Sequence, residues 1–439
     1  MTSKRARGRK AAWLAGACAG ALLPAAALAQ DGDETARDAA IPIADRFARR
    51  GGAQGVRVGS ALFFPTVSVD VGYASNAVPG AQGEDEESEA ALVAVSAGVA
   101  GQVRVGRVDT ALSLGANRRR FVDFEDEDAY AVTGAVNASA APTDRLELEA
   151  ELSAEAGREP RIALETPVGI ARTVGYDTVD ADLSARFKGA AAQVTLSAGW
   201  GERNFDDTEA VPGFGGVDGE VDQDVRDLTR TTLGARLSGK LFPAGDAFVQ
   251  LRRRENDFPV GFAGGPFAGL SRDFAADTVQ VGIAFDADRP LRGEVALGLQ
   301  RTSFDADPIA DVEGFSAQAG LEWLVTPVST MRLDAGTAFV AAGFTGATGA
   351  DEDRLSLGLD TELRRDILLT GSLRYLRRGY EGIDRDDAQW ELGAQGRYRL
   401  TDRLELTAGL SRIERESDGA DGVLDYMAHT LQVGLRLGL

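Results

Sequence analysis

The amino-acid sequence predicts an all-β protein, a transmembrane antiparallel up-and-down β-barrel of about 18 strands (roughly 16 to 18). Three observations favour this fold. The chain ends in a segment in which apolar residues alternate with polar or small ones, and the same alternation recurs along nearly the whole mature chain. The connections between these segments alternate between short and long. Outer-membrane barrels combine such strands with short periplasmic turns and long acidic or polar outer loops.

The first 29 residues have the features of an export signal. Basic residues from Lys4 to Lys10 precede an apolar run, and Ala27-Leu28-Ala29 is a small-x-small cleavage site. We predict that residues 1–29 are removed as a signal peptide and that the mature chain starts at Gln30. An uncleaved anchor is the weaker alternative. A lipoprotein at Cys18 is also disfavoured, because Ala15 stands where a lipobox has Leu.

The composition of the mature chain limits the kinds of protein and partner that are possible. Residues 30–55 are polar and irregular and predict a periplasmic N-terminal tail, with the barrel at 56–439. The chain's net charge of −21 at pH 7 argues against nucleic-acid partners, because nucleic-acid binders carry basic faces. No mature segment reaches the roughly 18 apolar residues of a membrane-spanning helix. An exported chain of this kind is soluble, or it spans a membrane as a closed barrel.

The clearest strand pattern lies at residues 145–155. Leu146, Leu148 and Leu152 alternate there with a row of glutamates, and a helix would scatter these glutamates around its surface. The same period predicts strands at 64–73, 91–103, 107–117, around Tyr130 to Val136, 145–155, 177–187, 190–200, 229–241, 246–255, 277–286, 290–303, 314–325, 330–340, 354–363, 366–377, 388–400, 403–412 and 426–439.

The connections between these strands fall into two classes. The short class contains Pro, Gly and Asp turns at 141–144, 242–246, 286–290, 326–328, 364–366 and 401–402. The long class is acidic and includes 83–87, 123–128, 202–227, 256–272, 345–353 and 414–425. If the first strand runs outward, every short connection falls on the periplasmic side. Gly-rich residues 256–270 are the predicted inward-folding loop.

A secreted all-β sandwich or adhesin is the competing fold, because its strands also alternate. The aliphatic row is present in nearly every strand, and no connection could cover it. The opposite row is charged in most strands, which suits a water-filled interior. The barrel is therefore the favoured interpretation.

Residues 55–76 resemble the opening signature of the putative β-barrel porin type 2 family of outer-membrane proteins. In that family a Gly-x-Arg-x-Gly-Ser stretch leads into Pro-Ser-x-x-Val and a Tyr-Asp-Asp-Asn turn. The matching positions here are Gly55, Arg57, Gly59, Ser60, Pro65, Val69, Gly72, Tyr73 and Asn76, whereas Ala74 and Ser75 replace the two aspartates. The resemblance implies the fold and an outer-membrane location, and some relatives are thought to serve exopolysaccharide export.

Little in the sequence indicates catalysis. The one histidine, His429, has the parity of the lipid-facing row near the outer end of the last strand. No Gly-x-Ser-x-Gly elbow, Walker loop or dinucleotide fingerprint is present, and zinc-type His and Cys clusters are missing. The acidic run 218–224 does not match a calcium loop. We predict no catalytic, cofactor-binding or metal-binding residues and no enzymatic activity.

The polar row of the strands is where a pore would act. Residues predicted to line the lumen are Arg230, Arg236, Arg252, Arg254, Arg332, Arg374, Arg397, Glu147, Glu149, Glu151, Asp180 and Asp182. Lys240, Arg292, Arg354, Arg399, Glu294, Glu322, Asp334, Asp360 and Glu391 share their parity. The alternative reading is that these charges neutralise one another between neighbouring strands and stiffen the wall.

The strand count and the polar row favour a porin-like outer-membrane channel for passive diffusion of small solutes. The alternative is a structural or export-partner barrel in a surface or exopolysaccharide pathway, which the family resemblance suggests. An adhesin or receptor that uses the long loops is a third class. The predicted partners are outer-membrane lipid and lipopolysaccharide, the barrel-assembly machinery and, for the alternative, polysaccharide-export components.

Overall fold

The computed structural model describes residues 41–50, 55–78, 88–161, 163–164, 166, 169–211, 219–243, 245–262, 265–285, 289–343, 346–423 and 425–439. The predicted signal peptide, most of the predicted tail, the acidic segment 83–87 and Asp218 lie outside these residues.

Within the described residues, eighteen long antiparallel strands form one closed barrel, as the sequence predicts. They are β2 (Ala61–Ala74), β3 (Ala90–Val105), β4 (Val108–Phe121), β5 (Ala129–Thr143), β6 (Leu146–Glu159), β7 (Val174–Lys188), β8 (Ala192–Phe205), β11 (Leu228–Phe242), β12 (Gly245–Asp257), β13 (Phe274–Phe285), β14 (Leu291–Phe304), β15 (Val312–Thr326), β16 (Ser329–Val340), β17 (Gly349–Arg364), β18 (Ile367–Glu381), β19 (Asp386–Arg399), β20 (Leu404–Asp418) and β21 (Tyr426–Gly438).

The first and last long strands close the ring. β2 pairs antiparallel with β21, so that Val69 lies opposite Leu435 and Val71 opposite Val433. Each remaining long strand pairs with its neighbours in sequence, including β8 with β11. The alternating C-terminal segment that marks the sequence is therefore the strand that removes the free edge.

Several short elements lie outside the ring of long strands. β1 (Val56–Val58) pairs with the beginning of β2, and β9 (Thr208–Glu209) pairs with β10 (Glu220–Val221) in the connection that follows β8. Helix α1 (Ile43–Arg50) precedes the barrel, and single 3-10 turns occupy Glu125–Glu127, Asp224–Arg226 and Gly265–Phe267. No helix among the described residues is long and apolar enough to cross a bilayer.

The two faces of the sheet differ as the period-two pattern requires. The outward rows expose large aliphatic side chains, for example Leu152 at 51% and Leu299 at 69% of their possible area. Buried apolar clusters occur instead around α1 and among the long connections, where Phe262, Ala306 and Ile309 pack together. The apolar surface that a soluble protein would bury therefore surrounds the barrel, where lipid can cover it.

Short and long connections alternate as predicted, but several of the predicted strand boundaries are wrong. β8 continues to Phe205, β17 already begins at Gly349 and β20 continues to Asp418, although the sequence assigned these residues to loops. The apolar alternation ends before the strands do, and strand pairing continues through charged neighbours such as Arg253 and Asp277. The turn between β3 and β4 consists of Gly106 and Arg107, and Gly106 adopts a φ of 60° that favours glycine.

Candidate functional site: the inner wall and the two mouths

The register places all twelve predicted lumen residues on one face of the sheet. Glu151 lies opposite Asp182, Arg236 opposite Gln250, and Leu368 opposite Arg397. Leu368 contacts α1, which lies on the face opposite the exposed aliphatic rows. We call this face the inner wall. Arg230, Arg252, Arg254, Arg332, Arg374, Glu147, Glu149 and Asp180 have the same parity in the paired strands.

One sector of the inner wall, on β6 and β7, is predominantly acidic. Glu147 forms salt bridges with Arg186 (3.2 Å) and with Lys188 near the short turn. Farther along, Glu151 lies opposite Asp182, and Asp180 follows at the next inward position. Neighbouring carboxylates therefore dominate the middle of this sector.

The opposite charge dominates β11 and β12. Arg230 donates a hydrogen bond to Asn256 (3.3 Å), and Arg236 forms a salt bridge with Glu294 (2.8 Å) while its guanidinium stacks 3.5 Å from the Phe248 ring. Arg252 and Arg254 point from the next strand toward the same region. The two sectors give the inner wall an uneven charge around its circumference.

Other inner-wall charges neutralise each other, as the alternative reading predicts. Arg332 bridges Glu322 (3.2 Å) and Asp360 (2.5 Å). Arg397 binds Glu405 (2.7 Å). Arg374 binds Glu391 at 3.1 Å, and of these two side chains Arg374 is exposed and Glu391 is half-buried. These pairs stiffen β15 to β20, so the wall combines neutralised and uneven sectors.

Helix α1 occupies the inner wall at the short-turn end. Ile43 and Phe47 are fully buried and pack against Leu368, and the Ile43 amide donates to Thr330 Oγ1 at 3.0 Å. The Arg399 guanidinium lies 4.1 Å from the centroid of the Phe47 ring. This segment lies within the predicted tail. Its helix and its apolar i, i+4 pair were not predicted, although the spacing of Ile43 and Phe47 is a recognisable signal.

The long connections contact one another across the opposite mouth. Arg385, between β18 and β19, donates to the Leu164 carbonyl (3.4 Å) between β6 and β7. These two connections lie about half the ring apart. Arg385 is itself held by Asp387, through Nε at 3.0 Å and Nη2 at 2.6 Å, and both residues are buried.

Further contacts join other long connections at this mouth, some of them neighbours and some not. Arg226 forms a salt bridge with Glu159 (2.5 Å), and Arg161 forms one with Glu127. Burial raises the pKa of Glu127, and Arg161 opposes this shift. Arg272 donates to the carbonyls of Val225 and Ala342. Sequence reasoning missed these residues, because their partners lie in distant connections.

The predicted inward-folding loop, residues 256–270, is only partly described. Phe262 is buried against Ala306 and Ile309, which belong to the next long connection. Among the described residues, Leu164 rather than this segment makes the contact with the far side of the ring that is identified above. The segment therefore packs beside its neighbour at the mouth.

Two remaining candidates carry little chemistry. His429 lies opposite Arg412 on the outward face near the long-connection end, in agreement with its predicted parity. Exposed Asp207, Asp222 and Asp224 bring carboxylate oxygens within 4.8 Å of one another, so part of the predicted acidic run is a cluster. Burial raises the pKa of nearby Asp227, and the charges of Asp224, Asp177 and Asp207 raise it further.

Comparisons with known proteins agree with this architecture. The family model described as "Putative beta-barrel porin 2" matches residues 49–439. A search of curated proteins finds no significant match. Among solved structures, the siderophore receptor PirA from Acinetobacter baumannii is 8% identical over 86% of this chain and 80% of that chain, with a TM-score of 0.44.

Two further structures show a similar distant likeness. The copper transporter OprC is 13% identical over 88% of this chain and 82% of that chain, with a TM-score of 0.45. The FrpB iron transporter from Neisseria meningitidis is 9% identical over 89% and 83%, with a TM-score of 0.41.

Proposed function

Since the chain belongs to the putative beta-barrel porin 2 family and is an outer-membrane β-barrel protein, we propose that it forms a porin-like channel for passive diffusion of small solutes. The observation that carries this proposal is the charged inner wall of an 18-stranded barrel. Barrels of 16 to 18 strands typically enclose an aqueous channel, and charged side chains on the wall tune its selectivity.

The path through this channel is narrowed at both ends. At the short-turn end, α1 contacts residues of β16 to β19 such as Thr330 and Arg399. At the other end, the contact between Arg385 and Leu164 joins connections from opposite sides of the ring. A narrowed path should admit mainly solutes of low mass. The unit conductance of the channel should therefore be small.

The location and partners follow from the same proposal. Residues 1–29 direct export and are then cleaved, the barrel-assembly machinery inserts the mature chain, and the aliphatic rows contact outer-membrane lipid and lipopolysaccharide. The short turns then face the periplasm. No specific contact among the described residues favours the polysaccharide-export alternative over a channel.

Planar-bilayer recording of the purified, refolded protein tests the proposal. Heat-modifiable gel mobility first verifies that the barrel is folded. Stepwise conductance increments in KCl are the expected result. A folded preparation that inserts into the bilayer and gives no steps at any voltage would overturn the channel.

A further inference from the structure

Four arginines converge on one region of the inner wall. Arg230 on β11 is diagonal to Arg254 on β12, and Arg252 is the next inward residue of the same strand. Arg354, on β17, lies within electrostatic range of both Arg252 and Arg254. Charged side chains of β11, β12 and β17 therefore face the same part of the interior.

The approach of β17 to β12 follows from a sharp bend of the wall between them. Arg236 on β11 reaches Glu294 on β14 at 2.8 Å. Gln280 on β13 donates to Ser316 on β15 at 2.9 Å, and Gln300 on β14 donates to the Phe339 carbonyl on β16 at 3.2 Å. Inward side chains of strands that are not neighbours thus touch one another, so the arginines face a confined space.

The two carboxylates that attract Arg252 and Arg254, Glu294 and Glu352, already form salt bridges, and one of these is with Arg354 itself. Glu294 binds Arg236, and Glu352 binds Arg378 at 2.7 Å as well as Arg354 at 3.6 Å. Among the described residues, Arg252 and Arg254 form no salt bridge and no hydrogen bond, and the Nε atom of Arg254 is buried without a partner. Asp334 is the remaining nearby carboxylate, and it interacts with Arg332 and Arg354.

Like charges held together in a confined space repel one another, and a bound anion offsets that cost. Guanidinium groups present pairs of N–H donors that match the oxygens of phosphate, sulfate and carboxylate groups. We propose that Arg230, Arg252, Arg254 and Arg354 form a binding site for a small oxyanion on the inner wall. Its role in transport rests on the proposed channel, which would then favour anionic solutes.

The experiment measures binding directly, independently of conductance. Equilibrium dialysis of radiolabelled inorganic phosphate against folded, detergent-solubilised full-length protein compares the wild type with the double variant Arg252→Gln/Arg254→Gln. We expect the double variant to lose at least about tenfold in phosphate affinity, because two charge-assisted donor groups are removed. Sulfate should compete with phosphate, whereas chloride at equal ionic strength should not.

Two further variants separate the site from general electrostatics. Arg253→Gln removes an arginine of the same strand that lies on the outward face and is paired with Glu255 and Asp277, and it should leave phosphate binding unchanged. Arg252→Lys/Arg254→Lys keeps the charge but loses the paired donors, so its affinity should lie between those of the wild type and the glutamine variant. Heat-modifiable mobility verifies that each variant is folded.

Two results would overturn the site: no phosphate binding by the wild type at millimolar concentration, or equal binding by the wild type and the glutamine double variant. Failure of the channel is distinguishable from failure of the site. If the protein binds phosphate but does not conduct, the oxyanion site is supported and the proposed channel is refuted. If the protein conducts but does not bind phosphate, the proposed channel is supported and the oxyanion site is refuted.

Discussion

Truncation of Phe47 in α1 should release this helix from the short-turn mouth. Phe47 is fully buried against Leu368, and the Arg399 guanidinium lies 4.1 Å from its ring centroid. Replacing a buried Phe by Ala removes about 3 to 5 kcal/mol of packing, and the cation–π contact adds roughly 0.5 to 2 kcal/mol. Even a loss of about 3 kcal/mol weakens docking by roughly 100-fold.

This loss of free energy should weaken the docking of α1 to the inner wall and leave the barrel folded. An isolated helix of eight residues is not stable in water, so α1 holds its structure through contacts with the wall. The barrel strands keep their complete hydrogen-bonded ring when α1 leaves. In Phe47→Ala we therefore expect faster hydrogen exchange of residues 43–50 and a larger unit conductance.

The matched control is Ala48→Gln, which changes an exposed position of the same helix. It should exchange and conduct like the wild type. Hydrogen–deuterium exchange by mass spectrometry and planar-bilayer recording provide the two measurements. If Phe47→Ala left both exchange and conductance unchanged, α1 would not be docked in the path, and the reasoning would be wrong.

Three other predictions concern the long connections and the wall. Arg385→Ala removes the salt bridge of buried Asp387 and breaks the contact with Leu164, so limited proteolysis should cut residues 160–173 faster. An unchanged rate would argue against the contact across the mouth. The pKa of Asp227 in the folded protein is raised above its ordinary 3.8, so this residue contributes most to stability below pH 3.8, and the contribution declines as the pH rises through the raised pKa. Protease protection of residues 219–227 should therefore decline over that pH range in the wild type and not in Asp227→Asn; the same decline in the variant would contradict this assignment. Arg332→Gln removes the salt bridge of buried Asp360, which keeps only its hydrogen bond from Thr370, and should lower the free energy of unfolding in urea by about 3 to 5 kcal/mol. Arg374→Gln breaks a largely exposed pair and should cost about 1 kcal/mol or less; equal costs would refute this ranking.

The sequence predicts the strands well because lipid imposes the same rule on each of them. A residue such as Leu152 must face lipid and Glu151 must face away, so parity alone assigns the faces. Strand ends are harder to predict. Beyond the lipid, pairs such as Arg253 and Asp277 continue the strand without any apolar signal.

The contacts that shape the candidate site depend on distant partners. Arg236 reaches Glu294 only because the wall bends between β11 and β14, and no local pattern encodes that bend. Likewise, Arg385 meets Leu164 because the closed ring brings their connections over one mouth. Parity identifies the charged wall, whereas the closed three-dimensional arrangement decides which charges neutralise one another.

Single-cysteine labelling during bilayer recording tests the central claim most directly. The only cysteine, Cys18, lies in the predicted signal, so Glu151→Cys and Leu152→Cys each give a mature chain with one thiol on adjacent positions of β6. A charged, membrane-impermeant thiosulfonate should change the current of Glu151→Cys and leave that of Leu152→Cys unaffected. Equal modification of both positions, or modification of Leu152→Cys alone, would contradict a closed barrel with a charged, water-filled interior.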